Sequence, residues 1–397
     1  MFFTALYYGT SPKKIGGCIL KKRFLRIACL VLALVLFSVT LASCAQNQPS
    51  APSQPGGSAP PAATGQVWHI DAAYAAGEPV TQSWTTALNE LARRSDGRIT
   101  VTHYYAGSLL TFPEIPRGML EGAAQWAYLP SNNYPDILPL NVRILQLPFM
   151  GLRNALDTAE IWMQLYDEFP EMAAELAQFN MMALAASPLW AYHIHLIDKN
   201  EVRLPSDLAG RSIAPFKPEM IPLLERYGGA GTHIPPGQMY ETLERGVIDG
   251  YIQTWAFANW FNLHEFIHQQ VLFSDHGLYQ EIFIYVVAKD FYESMPADLQ
   301  QLLHDIHRNE RYPEFNGERG YEFFWRETES FIDWQMNFAR EQGNLIVELT
   351  DAEIAVWKDA LIDSHESTLG IINAQRGDQV ATAIYNRALE LITQRFG

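Results

Sequence analysis

The stretch that decides the fold is DLAGRSIAPFKPEMIPLLERYGGAGTHIPPGQMYETLERGVIDGYIQTW, residues 207–255. Short segments in it and just before it have the pattern of buried strands. These segments are His193–Leu196, Arg211–Ala214, Thr232–Ile234 and Gly250–Gln253. Between them, Glu219–Tyr227 and Gln238–Arg245 are predicted helices. Strands that alternate with helices indicate an α/β architecture with mostly parallel sheets.

The same alternation continues on both sides of this stretch. Upstream, predicted strands at 67–74, 98–107, 126–129 and 181–186 alternate with predicted helices at 81–97, 114–121 and 154–178. Downstream, LYQEIFIYVVAKD (278–290) is a further predicted strand. From Pro296 onward the pattern is almost wholly helical. One long helix is expected from Gly320 to about Gln342, because no proline or internal glycine interrupts it.

The first 65 residues have the pattern of an export signal followed by a spacer. Four basic side chains at 21–26 precede the uncharged apolar run Ile27–Leu41, which is short for a bilayer span. The tetrad Leu41-Ala42-Ser43-Cys44 resembles a bacterial lipobox, which implies a diacylated Cys44. A retained anchor helix is the alternative. Residues 45–65 are rich in Pro, Ser, Gly and Ala and are expected to form a flexible linker.

Composition and charge narrow the class of protein. The chain has 397 residues, 48% hydrophobic and 18% charged, so a large core and two lobes are expected. Cys44 is the only cysteine after residue 29, which argues against a disulfide framework or a cysteine-ligated metal in the fold. Residues 1–44 hold six of the 28 basic side chains and none of the 44 acidic ones. The remaining chain is therefore strongly acidic, and such a surface repels nucleic acid.

Residues 207–255 resemble the core of the DctP family of TRAP-transporter solute-binding proteins. That family typically shows D-L-x-G-x-K-I-R-x-P and later Y-x-A-L-x-x-G-x-V-D-G. Here Asp207, Leu208 and Gly210 match the first pattern, and Tyr240, Leu243, Gly246, Asp249 and Gly250 match the second. The likeness extends over 66–397 through SDGRITVTHYYAGSL, ILQLPFM and SDHGLYQEIFIYVVAKDFYESMPADLQQLL.

The resemblance implies a two-lobed, periplasmic-binding-protein-like (Venus flytrap) fold that closes on a small solute. It implies delivery of that solute to membrane permease subunits driven by an ion gradient, and a long helix that spans both lobes. We expect lobe I at 66–190, lobe II at 191–276, a return to lobe I at 277–318, and the spanning and C-terminal helices at 319–397. The protein is then extracytoplasmic, in the periplasm or at the cell surface, and lipid-anchored.

The family's carboxylate-clamping arginine is absent. Aligned from Asp207, its position holds Ala214, and a second common arginine position holds His193. A buried carboxylate without a cation is costly. Either Lys217, Arg211 or His193 replaces the arginine, or the ligand is not a simple carboxylate. The ligand class therefore stays open between an organic acid and an aromatic or polar metabolite.

Aromatic residues at family pocket positions favour an aromatic-walled site. Trp190 and Tyr192 lie at the expected lobe crossover, Phe216 follows the missing arginine, and Trp255 follows Gln253. Gln253 occupies the position where the family often has a ligand-contacting asparagine. Tyr74 and Asn132, in loops of the first lobe, complete the candidate ligand-binding residues.

The sequence gives little support to an enzyme. His193-x-His195 would share a strand face, but no third metal ligand stands at recognisable spacing. There is no G-x-S-x-G elbow and no P-loop. We therefore expect no catalytic residues, no metal and no cofactor. An extracytoplasmic hydrolase and a tethered sensor that presents its ligand to a signalling receptor remain alternatives.

Overall fold

The computed structural model describes residues 65–76, 81–152, 155–217, 220–273 and 277–396. The predicted signal segment, Cys44 and nearly all of the linker lie outside the described residues. Among the residues described, no helix combines the length and apolarity needed to cross a membrane.

Strands of the described chain form a mixed ten-stranded sheet. The strands are β1 (Trp68–Ala73), β2 (Ile99–Tyr104), β3 (Trp126–Pro130), β4 (Met181–Leu196), β5 (Ser212–Pro215), β6 (Ala230–Gly231), β7 (Gly250–Thr254), β8 (Gln269–Leu272), β9 (Gln280–Ala288) and β10 (Leu345–Glu348). The main order is β2-β1-β3-β9-β4-β7-β5-β6, and β8 pairs with both β4 and β10. The predicted strand at 232–234 is wrong, because the chain pairs with β5 earlier, at Ala230–Gly231.

Helices cover the sheet and form most of the C-terminal part. They are α1 (Gln82–Arg94), α2 (Ile115–Leu120), α3 (Pro139–Val142), α4 (Ala155–Glu168), α5 (Pro170–Ala177), α6 (Ile221–Arg226), α7 (Met239–Glu244), α8 (Trp255–Trp260), α9 (Lys289–Ser294), α10 (Ala297–His304), α11 (Gly320–Glu341), α12 (Asp351–Leu361), α13 (Asp363–Arg376) and α14 (Val380–Phe396). The α/β prediction and the long helix are confirmed. Strand β10 interrupts the predicted helical C-terminus.

The long strand β4 joins two halves of the sheet. Its first part, Met181–Ala191, pairs with β9, and its last part, Tyr192–Leu196, pairs with β7 and β8. The sequence had predicted two separate strands here. The pairing with β9 is irregular at Ala183–Ala185 and Pro188–Ala191. Nearly all of β4 is buried, so apolar and aromatic side chains are favourable on both of its faces.

Separate apolar cores lie on the two halves. One core combines β1, β3, the first part of β4 and β9 with α13 and α14. Two smaller cores lie among β5, β7, β8 and the end of β4. The helix α11 packs against β4, α1 and α8, and so contacts elements of both halves. The exact lobe boundaries given above remain predictions.

A second crossing of the chain lies beside β4. The backbone N–H of Leu278 donates to the carbonyl of Tyr192 at 2.8 Å, and the N–H of Tyr192 donates to Tyr279 at 3.0 Å. Gly277 has a positive φ of 61°, and a Cβ there would lie 2.2 Å from the Tyr192 oxygen. Only glycine therefore allows the chain to pass this close to β4.

Candidate functional site

A largely polar, partly buried cluster lies where the two halves of the sheet meet. It contains Asn132, Tyr192, Phe216, Lys217 and Glu281, and we call it the junction cluster. Asn132 follows β3, Tyr192 lies on β4, Phe216 and Lys217 follow β5, and Glu281 lies on β9. Five residues from four chain segments thus converge beside the crossing between the cores.

Glu281 is the acidic centre of the junction cluster. Its side chain is 3% exposed. One oxygen, Oε2, accepts the Tyr192 hydroxyl at 2.9 Å, and Oε1 accepts the Asn132 backbone N–H at 3.3 Å. Burial raises the pKa of Glu281 from 4.5 to about 7, although these bonds and Lys217 favour the ionised form. A carboxyl group with this pKa exchanges its proton near neutral pH.

Tyr192 connects the acid to Asn132. Its hydroxyl donates to Glu281 and accepts from Asn132 Nδ2 at 3.0 Å. Burial raises the pKa of Tyr192 well above its usual range, so it stays a neutral phenol. Asn132 Oδ1 is buried and has no hydrogen-bond partner within the described ranges. A buried acceptor of this kind is costly unless a ligand or water satisfies it.

Lys217 supplies the positive charge of the junction cluster. Its ammonium donates to the backbone oxygen of Gln146 at 3.2 Å and to the Gln146 side chain at 2.7 Å. It also lies 4.2 Å from the centre of the Tyr279 ring, within cation–π range. The Gln146 amide donates in turn to the Ser131 hydroxyl, which accepts the Ile282 N–H at 3.1 Å. The charge is therefore positioned by segments of both halves.

Aromatic rings form the apolar side of this site. Tyr192 stacks on Tyr279 with ring centres 4.4 Å apart, and Phe216 lies 6.0 Å from Tyr192. Together the cluster offers one ammonium, one proton-exchanging carboxyl, a phenol, an amide and aromatic surface. This combination suits orientation of a small polar organic molecule. Among the described residues, no group of three His, Cys, Asp or Glu side chains could hold a metal ion.

Three of the sequence-predicted ligand residues lie in the junction cluster: Asn132, Tyr192 and Phe216. Trp190 and Tyr74 do not. Trp190 is 3% exposed in the first core and lies against Phe331 of α11. Tyr74 is fully buried, stacks on Tyr105 and shares a hydrogen bond of 3.1 Å with His103 Nδ1.

The other predicted residues lie on β4, β5 and β7 or just after them, and their contacts are with residues outside the junction cluster. His193 Nδ1 accepts the Phe273 N–H at 3.4 Å, and the Gln253 side chain accepts the Thr254 N–H at 2.9 Å. Ala214 pairs with Tyr251 and packs in one of the smaller cores. Trp255 is 5% exposed and forms an edge contact with His195 at 5.5 Å. Burial lowers the pKa of His195 to about 4, so that imidazole is neutral.

Of the suggested replacement cations, Lys217 lies in the cluster and Arg211 does not. Arg211 pairs with Asp198 at 3.0 Å and donates to the backbone oxygen of Asn200. Sequence reasoning missed Glu281 of the junction cluster and three residues that support the cluster, namely Tyr279, Gln146 and Ser131. Glu281 did carry a signal, because it is the single charged residue in the mostly apolar strand segment 278–288. An acid in a buried strand requires partners.

Residues 72–369 match the family described as bacterial extracellular solute-binding protein, family 7 (DctP). A solute-binding protein of Chromohalobacter salexigens is 26% identical over 163 residues, which is 41% of this chain and 47% of that relative. The chain thus spans about half the length of the curated relative that it matches.

Solved structures show the same fold. A TRAP periplasmic solute-binding protein of Desulfovibrio salexigens has a TM-score of 0.68 at 17% identity, covering 83% of this chain and 97% of that one. A marine-metagenome TRAP solute-binding protein specific for aromatic acid ligands, solved with 3-hydroxybenzoate, has a TM-score of 0.67 at 19% identity. Its match covers 84% of this chain and 100% of that one. The predicted two-lobed fold class is confirmed by these likenesses.

Proposed function

The chain belongs to the DctP family, family 7 of the bacterial extracellular solute-binding proteins, and from this membership we propose that it captures a small organic acid and delivers it to a TRAP permease. The junction cluster is the proposed capture site. The observation that carries this proposal is the ammonium of Lys217, held by Gln146 over the aromatic ring of Tyr279.

The proposed ligand is a small organic acid with an aromatic or other flat apolar part. Lys217 takes the place of the clamping arginine that Ala214 removes. An ammonium is a point charge rather than a planar fork, so it can bind one carboxylate oxygen but does not reproduce a bidentate pair. Tyr192, Phe216 and Tyr279 supply surface for an apolar ring. The structural relative with 3-hydroxybenzoate binds a molecule of this chemistry.

The proposed work of the protein is a change of conformation, with no chemical step. Closure of the two lobes removes water from the ligand, which strengthens the charge interaction with Lys217. A ligand shifts the equilibrium toward the closed state only as far as it binds that state more tightly. The free-energy difference between the open and closed states sets their populations, and the permease would distinguish the two states.

We further propose that the protein works outside the cytoplasm and is held to a membrane through a lipid on Cys44. The support is the sequence of the first 65 residues together with the extracellular family. Neither the sensor nor the hydrolase alternative has an observation in its favour among the described residues. The presence of TRAP permease genes beside this gene would favour the transporter, and a neighbouring receptor gene would favour the sensor.

Calorimetric titration with benzoate, 3-hydroxybenzoate and matched neutral amides tests the capture site. We expect the acids to bind and the amides to bind at least 10-fold more weakly, because a hydrogen bond to a charged group contributes about 1.5–3 kcal/mol. Lys217→Met should weaken acid binding by about 10- to 100-fold, and Phe216→Ala should also weaken it.

Lys289→Met is the matched control, because it removes a surface ammonium that pairs with Glu293 on α9. It should leave affinity unchanged. Equal binding of acids and amides, or unchanged affinity in Lys217→Met, would show that Lys217 does not recognise the ligand.

A further inference from the structure

A cavity lies beneath the long helix α11, against the face of β4 opposite to Tyr192. Side chains alternate between the two faces of a strand, so Tyr192 and His195 face opposite ways. The cavity has a volume of about 30 Å³, enough for an ammonium group or one or two waters. Its walls include His195, Trp255, Gln270, Trp334, Gln335 and Phe338.

Three buried polar side chains in this wall have atoms without a hydrogen-bond partner among the described residues. They are His195, Gln270 and Gln335, which are 0%, 3% and 5% exposed. The atoms concerned are His195 Nδ1, Gln270 Oε1 and both polar atoms of the Gln335 amide. A buried polar group that is left unsatisfied destabilises the folded state. Several of them around one cavity indicate an occupant that supplies hydrogen bonds.

The numbers of unsatisfied hydrogen-bond donors and acceptors indicate what kind of molecule suits the cavity. His195 Nε2 lies 3.0 Å from the backbone oxygen of Gln253. A carbonyl oxygen only accepts, so Nε2 carries the hydrogen, and Nδ1 of the neutral ring presents a lone pair. The unsatisfied set is therefore three acceptors (His195 Nδ1, Gln270 Oε1 and Gln335 Oε1) and one donor (Gln335 Nε2). A single water matches two of the acceptors and the donor, whereas a primary ammonium matches all three acceptors, and a hydroxyl carried beside the ammonium, as in ethanolamine, can accept from Gln335 Nε2.

The remaining walls suit a cation. Trp255 forms the inner side, and Trp334 stacks on Phe338 with ring centres 5.7 Å apart. Trp334 is 52% exposed, which places part of the wall at the surface. Aromatic faces attract organic cations, and most strongly the indole ring. The acidic surplus of the chain adds a long-range attraction for positive charge.

We propose that this cavity binds the primary ammonium group of a small amine. The three acceptors take its three N–H groups, and the aromatic rings contact its carbon atoms. The site is separate from the junction cluster and does not depend on the proposed capture of an organic acid. A ligand here would contact both α11 and β4, the two elements that connect the halves of the sheet.

Titration of the whole chain with methylammonium and ethanolamine tests this proposal. Binding is followed by tryptophan fluorescence and by the thermal unfolding midpoint at constant ionic strength and neutral pH. We expect saturable binding of both amines and little effect of tetramethylammonium, which has the same charge but no N–H. Titration up to about 100 mM amine detects binding free energies as weak as about −1.4 kcal/mol. If neither the fluorescence nor the unfolding midpoint shows a saturable change in this range, the proposal is overturned and water is the occupant.

Variants locate the binding. Gln335→Leu removes both unsatisfied polar atoms at similar volume and should weaken amine binding at least 10-fold. It should not lower the unfolding midpoint of the unliganded protein, because no intramolecular hydrogen bond is lost. Asn337→Leu is the matched control, since it makes the same change on the exposed side of α11 and should bind like the wild type. Equal amine binding in Gln335→Leu and wild type overturns the assignment.

Discussion

Replacing Glu281 with glutamine should change how the stability of this protein depends on pH. Glu281 has an unfolded pKa of about 4.5 and a folded pKa of about 7, because burial disfavours its charge. Between these two values the folded protein holds a proton that the unfolded chain has released. Stability from this group is therefore fully present below about pH 4.5 and is lost as the pH rises through 7.

The expected size follows from the two pKa values. One pKa unit corresponds to about 1.36 kcal/mol, and integration from pH 5 to pH 8 gives a loss of about 2.5 kcal/mol in the wild type. Glutamine keeps the shape but cannot ionise, so Glu281→Gln avoids this loss. The amide can accept only through one oxygen, and Glu281 accepts from both Tyr192 and Asn132. The variant should therefore carry a constant penalty of about 1 kcal/mol at every pH.

Urea unfolding at pH 5, 6, 7 and 8, followed by tryptophan fluorescence, measures the difference between variant and wild type. The contributions of other titrating groups to the unfolding free energy, including those of the buried His195 and His307, cancel when the wild-type value is subtracted from the variant value. We expect the variant to gain about 2.5 kcal/mol relative to the wild type across this range. A difference that changes by less than about 0.5 kcal/mol between pH 5 and pH 8 would refute the raised folded pKa of Glu281, because the reasoning requires it to vary with pH.

Three further predictions concern other parts of the chain. Gly277→Ala should lower the free energy of unfolding by more than 3 kcal/mol, because its Cβ would clash with Tyr192. Gly246→Ala, with open space around it, should lower this free energy by only about 1 kcal/mol. Equal losses of the two variants in urea unfolding would contradict this. Burial lowers the pKa of His307 to about 4. The free energy of unfolding of the wild type should therefore fall by up to about 3 kcal/mol relative to that of His307→Gln as the pH falls from 6.5 to 4. Parallel curves of unfolding free energy against pH for the two proteins would disprove this. Cys44→Ser should move the protein from the membrane fraction to the soluble fraction, and retention on membranes would exclude the lipid anchor.

The α/β class, most elements and the helix α11 were predictable because they depend on local patterns. The predicted helix from Gly320 to about Gln342 is observed at Gly320–Glu341. Apolar spacing at 3.6 residues is a property of neighbours in the chain, and so is the absence of proline. The predictions from sequence failed mainly at short strands. The strand expected at 232–234 and the unexpected strand β10 both depend on which distant segment offers a free edge, at β5 and β8 respectively.

Positions in the candidate site were less predictable, and aromatic residues show why. Trp190 and Tyr192 are two residues apart on β4 and looked alike in the sequence. In the structure, Trp190 is buried in the first core, and Tyr192 reaches Glu281 in the junction cluster. The strand lies between different neighbours at these two positions, because the sheet changes partners there.

The family, the order of elements and the absence of the clamping arginine at Ala214 could be recognised from residues in linear order. Which side chains meet depends on how distant segments pack. Glu281 is 89 residues from Tyr192, and Lys217 is 71 residues from Gln146. Such pairs form because strands from distant segments lie side by side, and which face a side chain takes depends on register. A shift of one residue would turn Tyr192 to the side of the cavity beneath α11.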